Sequence, residues 1–215
     1  MFRDRSDAGR QLAELLLPFK TKRPVVLALP RGGVPVGLEV SRRLDAPLDV
    51  LLVRKIGAPF QRELAVGAIL DGAHPEIYVN NEALQALGLP ASYVTREARN
   101  QLAEIERRRA IYSRGRSKAD VRNRTVIVVD DGIATGATMR VALRALRHAG
   151  VAYLILAAPV APADTAEALK TECDEAVFIS TPDDFGAVGF YYQNFAQLTD
   201  ADVVRCLDQA PAPVD

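Results

Sequence analysis

Residues 126–138 read VIVVDDGIATGAT, the part of the chain with the strongest structural signal. Its apolar, β-branched beginning predicts a buried strand, which runs directly into two acids, Asp130 and Asp131. The small and hydroxyl residues that follow predict a tight turn into a helix over residues 138–149, which Gly150 ends. A strand, a turn and a helix in this order are typical of a parallel α/β sheet.

The same stretch has the chemistry of a sugar-phosphate site. Ligands of parallel sheets gather beyond the carboxyl ends of the strands, where Asp130 and Asp131 stand. Two adjacent carboxylates are costly to bury unpaired, so they favour a hydroxyl-rich or cationic partner. Backbone N–H groups and hydroxyls at a helix start form a cradle for a phosphate. The residues of that cradle are Ala134, Thr135, Gly136, Ala137 and Thr138. Together the acids and the cradle predict a ribose 5-phosphate site.

Two other interpretations of this stretch stay open from its residues alone. Receiver domains of response regulators also have a strand that ends in two acids. Their acids lie near the domain start and a lysine follows, whereas here the pair lies at 130 of 215 residues and only Lys170 follows. The second alternative is a structural strand–turn–helix in which glycine and threonine merely turn the chain, since short motifs recur by chance.

The composition narrows the class of protein. The chain has 215 residues, 49% of them hydrophobic and 25% charged, which is ordinary for one globular domain. A formal net charge of zero gives no global field for nucleic acid or an acidic membrane. No run of about 18 apolar residues predicts a membrane span, and the charged beginning, MFRDRSDAGR, differs from a secretory signal. We therefore expect a soluble, cytoplasmic protein.

The cysteines and histidines exclude two kinds of site. Cys173 and Cys206 lie outside any CxxC or histidine-containing cluster, which predicts reduced thiols and neither a disulfide framework nor a zinc site. Only two histidines are present, so a multi-histidine metal centre is excluded.

Short apolar runs alternate with helical patterns along the chain. Strands are predicted at residues 25–29, 48–53, 64–70, 76–79, 125–129, 152–157 and 176–179. Further helices are predicted at residues 6–19 with Ser6 as N-cap, and at 35–44, 92–112, 164–171 and from Asp200. The alternation predicts an α/β fold with a doubly wound parallel sheet. We predict a single domain over residues 1–215, with a core at 24–160 and appendages at 1–22 and about 180–215.

Two further predicted strands end in anion-binding residues. After the first strand, Gly32 and Gly33 let backbone amides approach an anion, and Arg31 supplies a charged donor. After the second, Arg54 and Lys55 stand together, and Lys55 is one of only five lysines against 22 arginines. The alternative for the first region is a simple turn between strand and helix, which accounts for the glycines but not for Arg31. The alternative for Arg54 and Lys55 is a solvated strand end. Three such sites at three strand ends nevertheless predict one anion site.

Together these regions resemble the type I phosphoribosyltransferase family. Residues 126–138 are similar to the motif with which that family binds phosphoribosyl pyrophosphate (PRPP), and the resemblance spans roughly residues 24–160. One position departs, because Gly132 stands where the family usually has an aliphatic residue, and we expect a looser loop backbone there. The family's pyrophosphate loop, often with a non-proline cis peptide, falls at residues 30–32. The segments FRDR, RKIGAP and VGFYYQNF also resemble a bacterial group of predicted phosphoribosyltransferases.

The resemblance implies an enzyme that transfers ribose 5-phosphate from PRPP to a small, nitrogenous acceptor and releases pyrophosphate. Asp130 and Asp131 would hold the ribose 2- and 3-hydroxyls, and the cradle at residues 134–138 would hold the 5-phosphate. The pyrophosphate would meet Arg31, Gly32, Gly33, Arg54 and Lys55. The residues implied in catalysis are Arg31, Lys55, Asp130 and Asp131. Mg²⁺ is the implied cofactor, bridging pyrophosphate and ribose oxygens with few direct protein ligands.

The acceptor is only partly constrained. Family members that act on 6-oxopurines generally carry an acid three residues beyond the second aspartate, where this sequence has Ala134. Adenine- and orotate-specific relatives tolerate a small residue there. The resemblance places the acceptor under a hood, which here must come from residues 2–19 and 185–195. In that tail, Tyr191, Tyr192 and Phe195 either stack on a base or pack in the core.

Two questions stay open. The stretch 96–124 has ten basic and four acidic residues, and it is a basic lid over PRPP, an RNA-binding helix, or a solvated face or dimer contact. The function is either phosphoribosyl transfer or that of a PRPP-binding regulator, RNA- or protein-interacting, that lost turnover. The complete set of site residues favours the enzyme. Beyond PRPP and a small acceptor we expect neither nucleic acid nor membrane as a partner, and the family suggests a homodimer.

Overall fold

The computed structural model describes residues 1–71, 76–113 and 117–211. Its strands are β1 (Val25–Ala28), β2 (Leu48–Val50), β3 (Val53–Ala58), β4 (Gln61–Leu70), β5 (Glu76–Val79), β6 (Thr125–Val129), β7 (Tyr153–Val160) and β8 (Glu175–Ser180). Its α-helices are α1 (Arg5–Leu16), α2 (Gly33–Leu44), α3 (Asn81–Ala86), α4 (Ala91–Ser113), α5 (Ala137–His148), α6 (Ala163–Lys170) and α7 (Asp200–Asp208). Two 3-10 helices cover Leu17–Lys22 and Val188–Tyr191.

A parallel sheet with the strand order β2-β1-β6-β7-β8 lies at the centre of the fold. Successive side chains of a strand point to opposite faces, so strands covered on both faces are apolar throughout. Val26 and Ile127 pack with α1 and α2 on one face, whereas Leu27 and Val128 pack with α5 on the other. This arrangement confirms the predicted doubly wound parallel sheet.

A separate antiparallel sheet has the order β3-β4-β5. The pairing of β4 with β5 was predicted, but the single strand predicted at residues 48–53 is wrong, because the chain changes partners within it. The Leu51 N–H donates to the carbonyl of Ala28, the last residue of β1 (2.9 Å), whereas the Leu52 carbonyl accepts from the N–H of Asp71, just after β4 (2.8 Å). A continuous apolar run carries no sign of such a change.

The helices lie close to their predicted positions, with three differences. The N-cap of α1 is Asp4 and not Ser6, since the Asp4 carboxylate accepts a hydrogen bond from the Asp7 N–H (2.8 Å). Helix α1 ends at Leu16 because Pro18 cannot continue an α-helical ladder, and a 3-10 helix follows. The unpredicted α3 has six residues, too few for a periodic apolar pattern.

The two ends of the chain lie in different places. Phe2 forms a parallel bridge with Tyr192, in which the Phe2 N–H donates to Tyr191 (2.7 Å) and the Gln193 N–H donates to Phe2 (2.8 Å). The two segments predicted to form the hood therefore contact each other. Helix α7 packs on α2 and α4 instead, and Pro211 beyond it accepts from the Leu48 N–H of β2 (3.1 Å). Within the described ranges, no helix combines the length and the apolar surface that crossing a bilayer requires.

Candidate active site

A cleft of about 250 Å³ opens at the carboxyl edge of the central sheet, and residues from all three predicted anion-binding regions line it. Pro30 comes from the loop after β1, Arg54 from β3, and Asp130 and Thr138 from the segment after β6. Its other lining residues are Leu29, Leu51, Leu52, Val53, Ile105 and Arg108. The structure thus brings together three regions that are far apart in the chain.

The loop after β1 lies directly against the two aspartates. Its Pro30–Arg31 peptide is cis, at the position that the family resemblance implies. A Cβ atom on Gly32 would lie 2.1 Å from Asp131 Oδ2, and one on Gly33 would lie 2.6 Å from the Val129 carbonyl oxygen. Only glycine allows this approach, so both glycines are required by packing. Arg31 is 43% exposed at its side chain, and its Nη1 lies 3.9 Å from Asp200 at the start of α7.

The pKa values of the two aspartates are shifted by burial and by the charges around them. Asp131 is 9% exposed, and Arg5 Nε donates to its Oδ2 at 2.7 Å. Asp130 Oδ1 accepts from the Asp131 N–H (2.9 Å), which fixes one carboxylate against the next backbone unit. Burial, reinforced by the Asp131 carboxylate, raises the pKa of Asp130 well above its usual range. Burial also raises the pKa of Asp131, and there the hydrogen bond and charge of Arg5 act in the opposite direction.

The phosphate cradle has the geometry expected of a helix start. Gly136 is the N-cap of α5 with a φ of +68°, a left-handed conformation that glycine adopts at low cost. Ala134, Thr135, Ala137 and Thr138 around it are exposed. The Thr165 hydroxyl from α6 donates to the Ala134 carbonyl (3.2 Å) and holds the outer side of the cradle. The arrangement presents backbone amides of a 12-residue helix to an anion beyond the sheet edge.

Arg54 and Lys55 lie on opposite sides of β3 because successive residues of a strand alternate. Arg54 lines the cleft with Asp130 and Thr138. Lys55 lines a different cavity of about 470 Å³, beside Tyr93 and Glu97 of α4. The structure therefore places Arg54, but not Lys55, next to the other predicted site residues, and the predicted contact of Lys55 with pyrophosphate stays a prediction.

Helix α4 adds a cation that was not assigned to the site. Its buried side includes Val94, Ala98, Ile105 and Tyr112, and Arg108, three residues after Ile105, reaches the cleft. Helical spacing is the sequence signal that could have indicated Arg108, because a residue three positions from a buried one lies at the edge of the buried face. The arginine-rich stretch thus includes a packed helix with one arginine at the candidate site.

Gly132 makes room for the tail of the chain. A Cβ atom at this position would lie 2.4 Å from Val188 Cγ1, so the tail occupies the space that an aliphatic side chain would fill. The backbone of Gly132 is not among the positive-φ positions of the described chain. Close packing of the tail therefore accounts for this departure from the family pattern.

The three predicted aromatic residues of the tail make packing contacts: Tyr192 is buried, and Tyr191 and Phe195 are half-buried. The Tyr192 ring is 5% exposed and lies 4.9 Å from the Phe195 ring, and its hydroxyl donates to the backbone carbonyl of Asp131. Burial raises the pKa of Tyr192 far above its usual value, so this hydroxyl stays a donor. Tyr191 stacks on Phe185 with ring centroids 5.4 Å apart. These contacts favour the core interpretation of all three predicted aromatic residues.

Arg5 is a second residue near this site that the sequence analysis missed. Besides its bond to Asp131, Arg5 donates from Nη1 to the Ala196 carbonyl (2.9 Å) and lies 3.8 Å above the centre of the Phe195 ring. Nothing in the local pattern of the first ten residues indicates a partner at position 131. Only the folded chain shows that the beginning of α1 reaches the second aspartate.

The chain is thus an α/β protein whose paired acids, helix start and arginine-bearing glycine loop meet at the carboxyl edge of a parallel sheet. The family model of the phosphoribosyl transferase domain matches residues 6–194, and the chain belongs to this family. The resemblance inferred from the motifs is thereby confirmed.

Individual relatives agree with this assignment. Proteins from two strains of Mycobacterium tuberculosis, whose names assign them provisionally to the phosphoribosyl transferases, are 46% identical over 210 residues. These residues are 98% of this chain and 47% of each relative, so the chain spans about half the length of the curated relatives it matches. The crystal structure of TT1426 from Thermus thermophilus is similar with a TM-score of 0.89 and 45% identity, covering 98% of this chain and 100% of that one.

Proposed function

We propose that this chain binds PRPP at the carboxyl edge of its central sheet and transfers the ribose 5-phosphate to a small nitrogenous acceptor, releasing pyrophosphate. Membership of the phosphoribosyl transferase family supports PRPP-dependent transfer in general. The observation that carries the proposal is the cleft in which Pro30, Arg54, Asp130 and Thr138 converge from three separate chain segments. A cradle, two acids and several cations at one sheet edge match the phosphate, the hydroxyls and the pyrophosphate of PRPP.

Each part of the donor has a matching group of residues in or beside the cleft. The 5-phosphate would lie at the start of α5, within residues 134–138, where backbone amides and two threonine hydroxyls face outward. The ribose hydroxyls would donate to Asp130 and Asp131. The pyrophosphate would lie between the loop of Arg31, Gly32 and Gly33 on one side and Arg54 and Arg108 on the other. Lys55 joins this set only if β3 presents its other side to the ligand.

The proposed reaction moves charge in a way that these residues match. The acceptor nitrogen forms a bond to C1 of the ribose, the C1–O bond to pyrophosphate breaks, and its electron pair leaves with the pyrophosphate. The proton lost by the acceptor nitrogen passes to water. Cations beside the leaving group stabilise the negative charge that develops there, and two carboxylates hold the ribose ring in place. The protein supplies position and charge without forming a covalent bond.

Mg²⁺ is a cofactor that the family implies, and the cleft fits it in one way. Among residues 1–71, 76–113 and 117–211, no group of three or more His, Cys, Asp or Glu side chains could hold a metal ion. Because Mg²⁺ takes oxygen ligands and keeps several waters, PRPP oxygens and water would supply its contacts here. When bound, Mg²⁺ neutralises part of the charge on the pyrophosphate. The residues of the cleft would hold the PRPP, whose oxygens would bind the Mg²⁺.

The acceptor is constrained by Ala134. Its methyl side chain is exposed and offers no proton acceptor at the position where an acid would serve a 6-oxopurine. An acceptor that needs no general base from this position therefore fits best, such as an amine or a nucleobase with a nucleophilic nitrogen.

A cytoplasmic location and a homodimer are also part of the proposal. The composition supports the first, and the family resemblance supports the second.

Two measurements test this function on the same preparation. Calorimetric titration with PRPP in Mg²⁺ tests the donor site, and a pyrophosphate-release assay across nucleobases and small amines tests transfer. We expect PRPP to bind, and pyrophosphate to appear with at least one acceptor. Binding without release for any acceptor favours a PRPP-binding regulator, and failure of PRPP to bind contradicts the donor site itself.

A further inference from the structure

The side chain of Arg5 is held on three sides next to the second aspartate. Its Nε lies 2.7 Å from Asp131 Oδ2, and the two side chains are 11% and 13% exposed. Nη1 donates to the Ala196 carbonyl at 2.9 Å, and the guanidinium lies over the Phe195 ring. An ion pair that is this buried and this well bonded has a single geometry, unlike the exposed pairs elsewhere on α1.

Asp131 is confined from its other sides as well. The Gly32 backbone lies so close that a Cβ atom there would be 2.1 Å from Oδ2, the same oxygen that Arg5 contacts. The Tyr192 hydroxyl donates to the Asp131 backbone carbonyl, and the Asp131 N–H donates to Asp130. The charged and titratable groups that face Asp131 are therefore Arg5, Asp130 and Tyr192.

The proposed role of Asp131 requires an ionised carboxylate, because only that form accepts hydrogen bonds on both oxygens. Burial works against ionisation, and the pKa of Asp131 is raised for that reason, while Arg5 lowers it. Asp130 stands next to Asp131, and a second negative charge there also opposes ionisation of the pair. Arg5 is thus the cation that balances this pair of acids.

We propose that Arg5 is a positioning residue of the donor site, which fixes the Asp131 carboxylate against the Gly32 loop in the orientation that receives the ribose hydroxyls. This inference rests on the proposed function for the identity of the ligand. It also makes the beginning of α1 and the tail around Phe195 part of donor binding, because both hold Arg5. The hood therefore acts on the donor as well as covering the acceptor.

The test compares Arg5→Met, Arg5→Lys and the control Arg10→Met. Arg10 lies on the same helix, carries the same charge and is paired only at the surface, with Asp7 and Glu39 at 3.6 and 3.8 Å. PRPP affinity in Mg²⁺ is measured by calorimetry between about pH 5.5 and pH 8.5, after circular dichroism and thermal melting show that each variant is folded.

We expect Arg5→Met to weaken PRPP binding about ten- to hundredfold near neutral pH, the scale of a lost hydrogen bond to a charged group. The loss grows as the pH falls, because without Arg5 the Asp131 carboxylate takes up a proton at higher pH. Arg5→Lys restores part of the affinity at high pH, since it returns the charge without the planar contact with Phe195. Arg10→Met stays within about twofold of the wild type.

A second measurement keeps this inference separate from the proposed function. The carboxyl-carbon NMR titration of Asp131 is recorded without PRPP in the wild type, in Arg5→Lys and, where it is folded, in Arg5→Met. A higher midpoint in the variants supports the positioning role even if the wild type fails to bind PRPP, an outcome that would overturn only the proposed function. Unchanged midpoints in Arg5→Lys and Arg5→Met, or wild-type PRPP affinity of Arg5→Met at every pH, overturn the role of Arg5.

Discussion

The unit from β6 to α5 and the hood meet at Asp131, yet the chain builds them in opposite ways. The unit from β6 to α5, which contains the cradle, is one continuous segment in which the strand, the loop and the helix follow each other directly. The hood comes from both ends of the chain, and its link from Arg5 to Ala196 joins residues 191 positions apart. The difference shows that the kind of ligand is indicated by local sequence, whereas the orientation of the binding groups depends on contacts between distant segments.

The largest expected effect comes from Asp131, which follows β6. Asp131→Asn removes the charge that receives the ribose hydroxyls and leaves Arg5 without its counterion, so we expect PRPP affinity to fall about a hundredfold. Calorimetry in Mg²⁺ measures it, with Asp45→Asn, at an exposed position away from the cleft, as the control that keeps wild-type affinity. Unchanged binding by Asp131→Asn would show that the donor is not held at this edge of the sheet.

The contact of Gly132, in the loop after β6, with Val188 in the tail gives the second prediction. Gly132→Val places a side chain where Val188 already lies, and overpacking of this kind lowers the free energy of unfolding by about 1–3 kcal/mol. Chemical denaturation measures the change. Combining Gly132→Val with Val188→Ala recovers part of the loss, because the smaller side chain vacates the space. Additive losses in the double variant would mean that the two residues do not share this space.

Arg54 and Lys55 are neighbours on β3 but line different cavities, which gives the third prediction. Arg54→Gln removes a cation from the cleft, and we expect PRPP affinity to fall about tenfold. Lys55→Gln serves as the matched variant and changes affinity less than about threefold, because Lys55 lies against α4. Equal losses in calorimetry would support the original prediction that both residues contact pyrophosphate, and would require β3 to rearrange.

The smallest effect concerns stability and pH. Because the folded protein raises the pKa of Asp130, it binds a proton more strongly than the unfolded chain does. The associated stability is complete below the unfolded pKa of about 3.9 and is lost as the pH rises through the folded value. We therefore expect Asp130→Asn, which cannot ionise, to raise the free energy of unfolding and the Tm, with a gain that increases with pH.

Thermal melting at pH 5 and pH 8 measures this effect. The gain of Asp130→Asn is larger at pH 8 than at pH 5, because the fraction of the wild-type carboxyl that carries its destabilising charge increases with pH. An equal gain at both pH values would show that the substitution acts through packing and not through ionisation.

Much of the fold, and the convergence of three strand ends at one cleft, could be predicted from sequence. The unit from β6 to α5 was predicted because burial on both faces produces an unbroken apolar strand, and the turn chemistry follows it directly. The break between β2 and β3 was missed, since Leu51 and Leu52 are equally apolar although they bond to different partners. Arg5 and Arg108 were missed as site residues because Arg5 reaches Asp131, and Arg108 the cleft, from helices whose direction only tertiary packing determines.

The bond between Pro211 and β2 has a consequence for the behaviour of the protein in solution. β2 is an edge strand, and the unpaired N–H and C=O groups of an edge are a template on which another molecule can add a strand. Here the Leu48 N–H is already taken by the Pro211 carbonyl. Since proline has no N–H of its own to offer, the covering segment itself presents one donor fewer to a further strand. The sheet thus has built-in protection against edge-to-edge aggregation on this side.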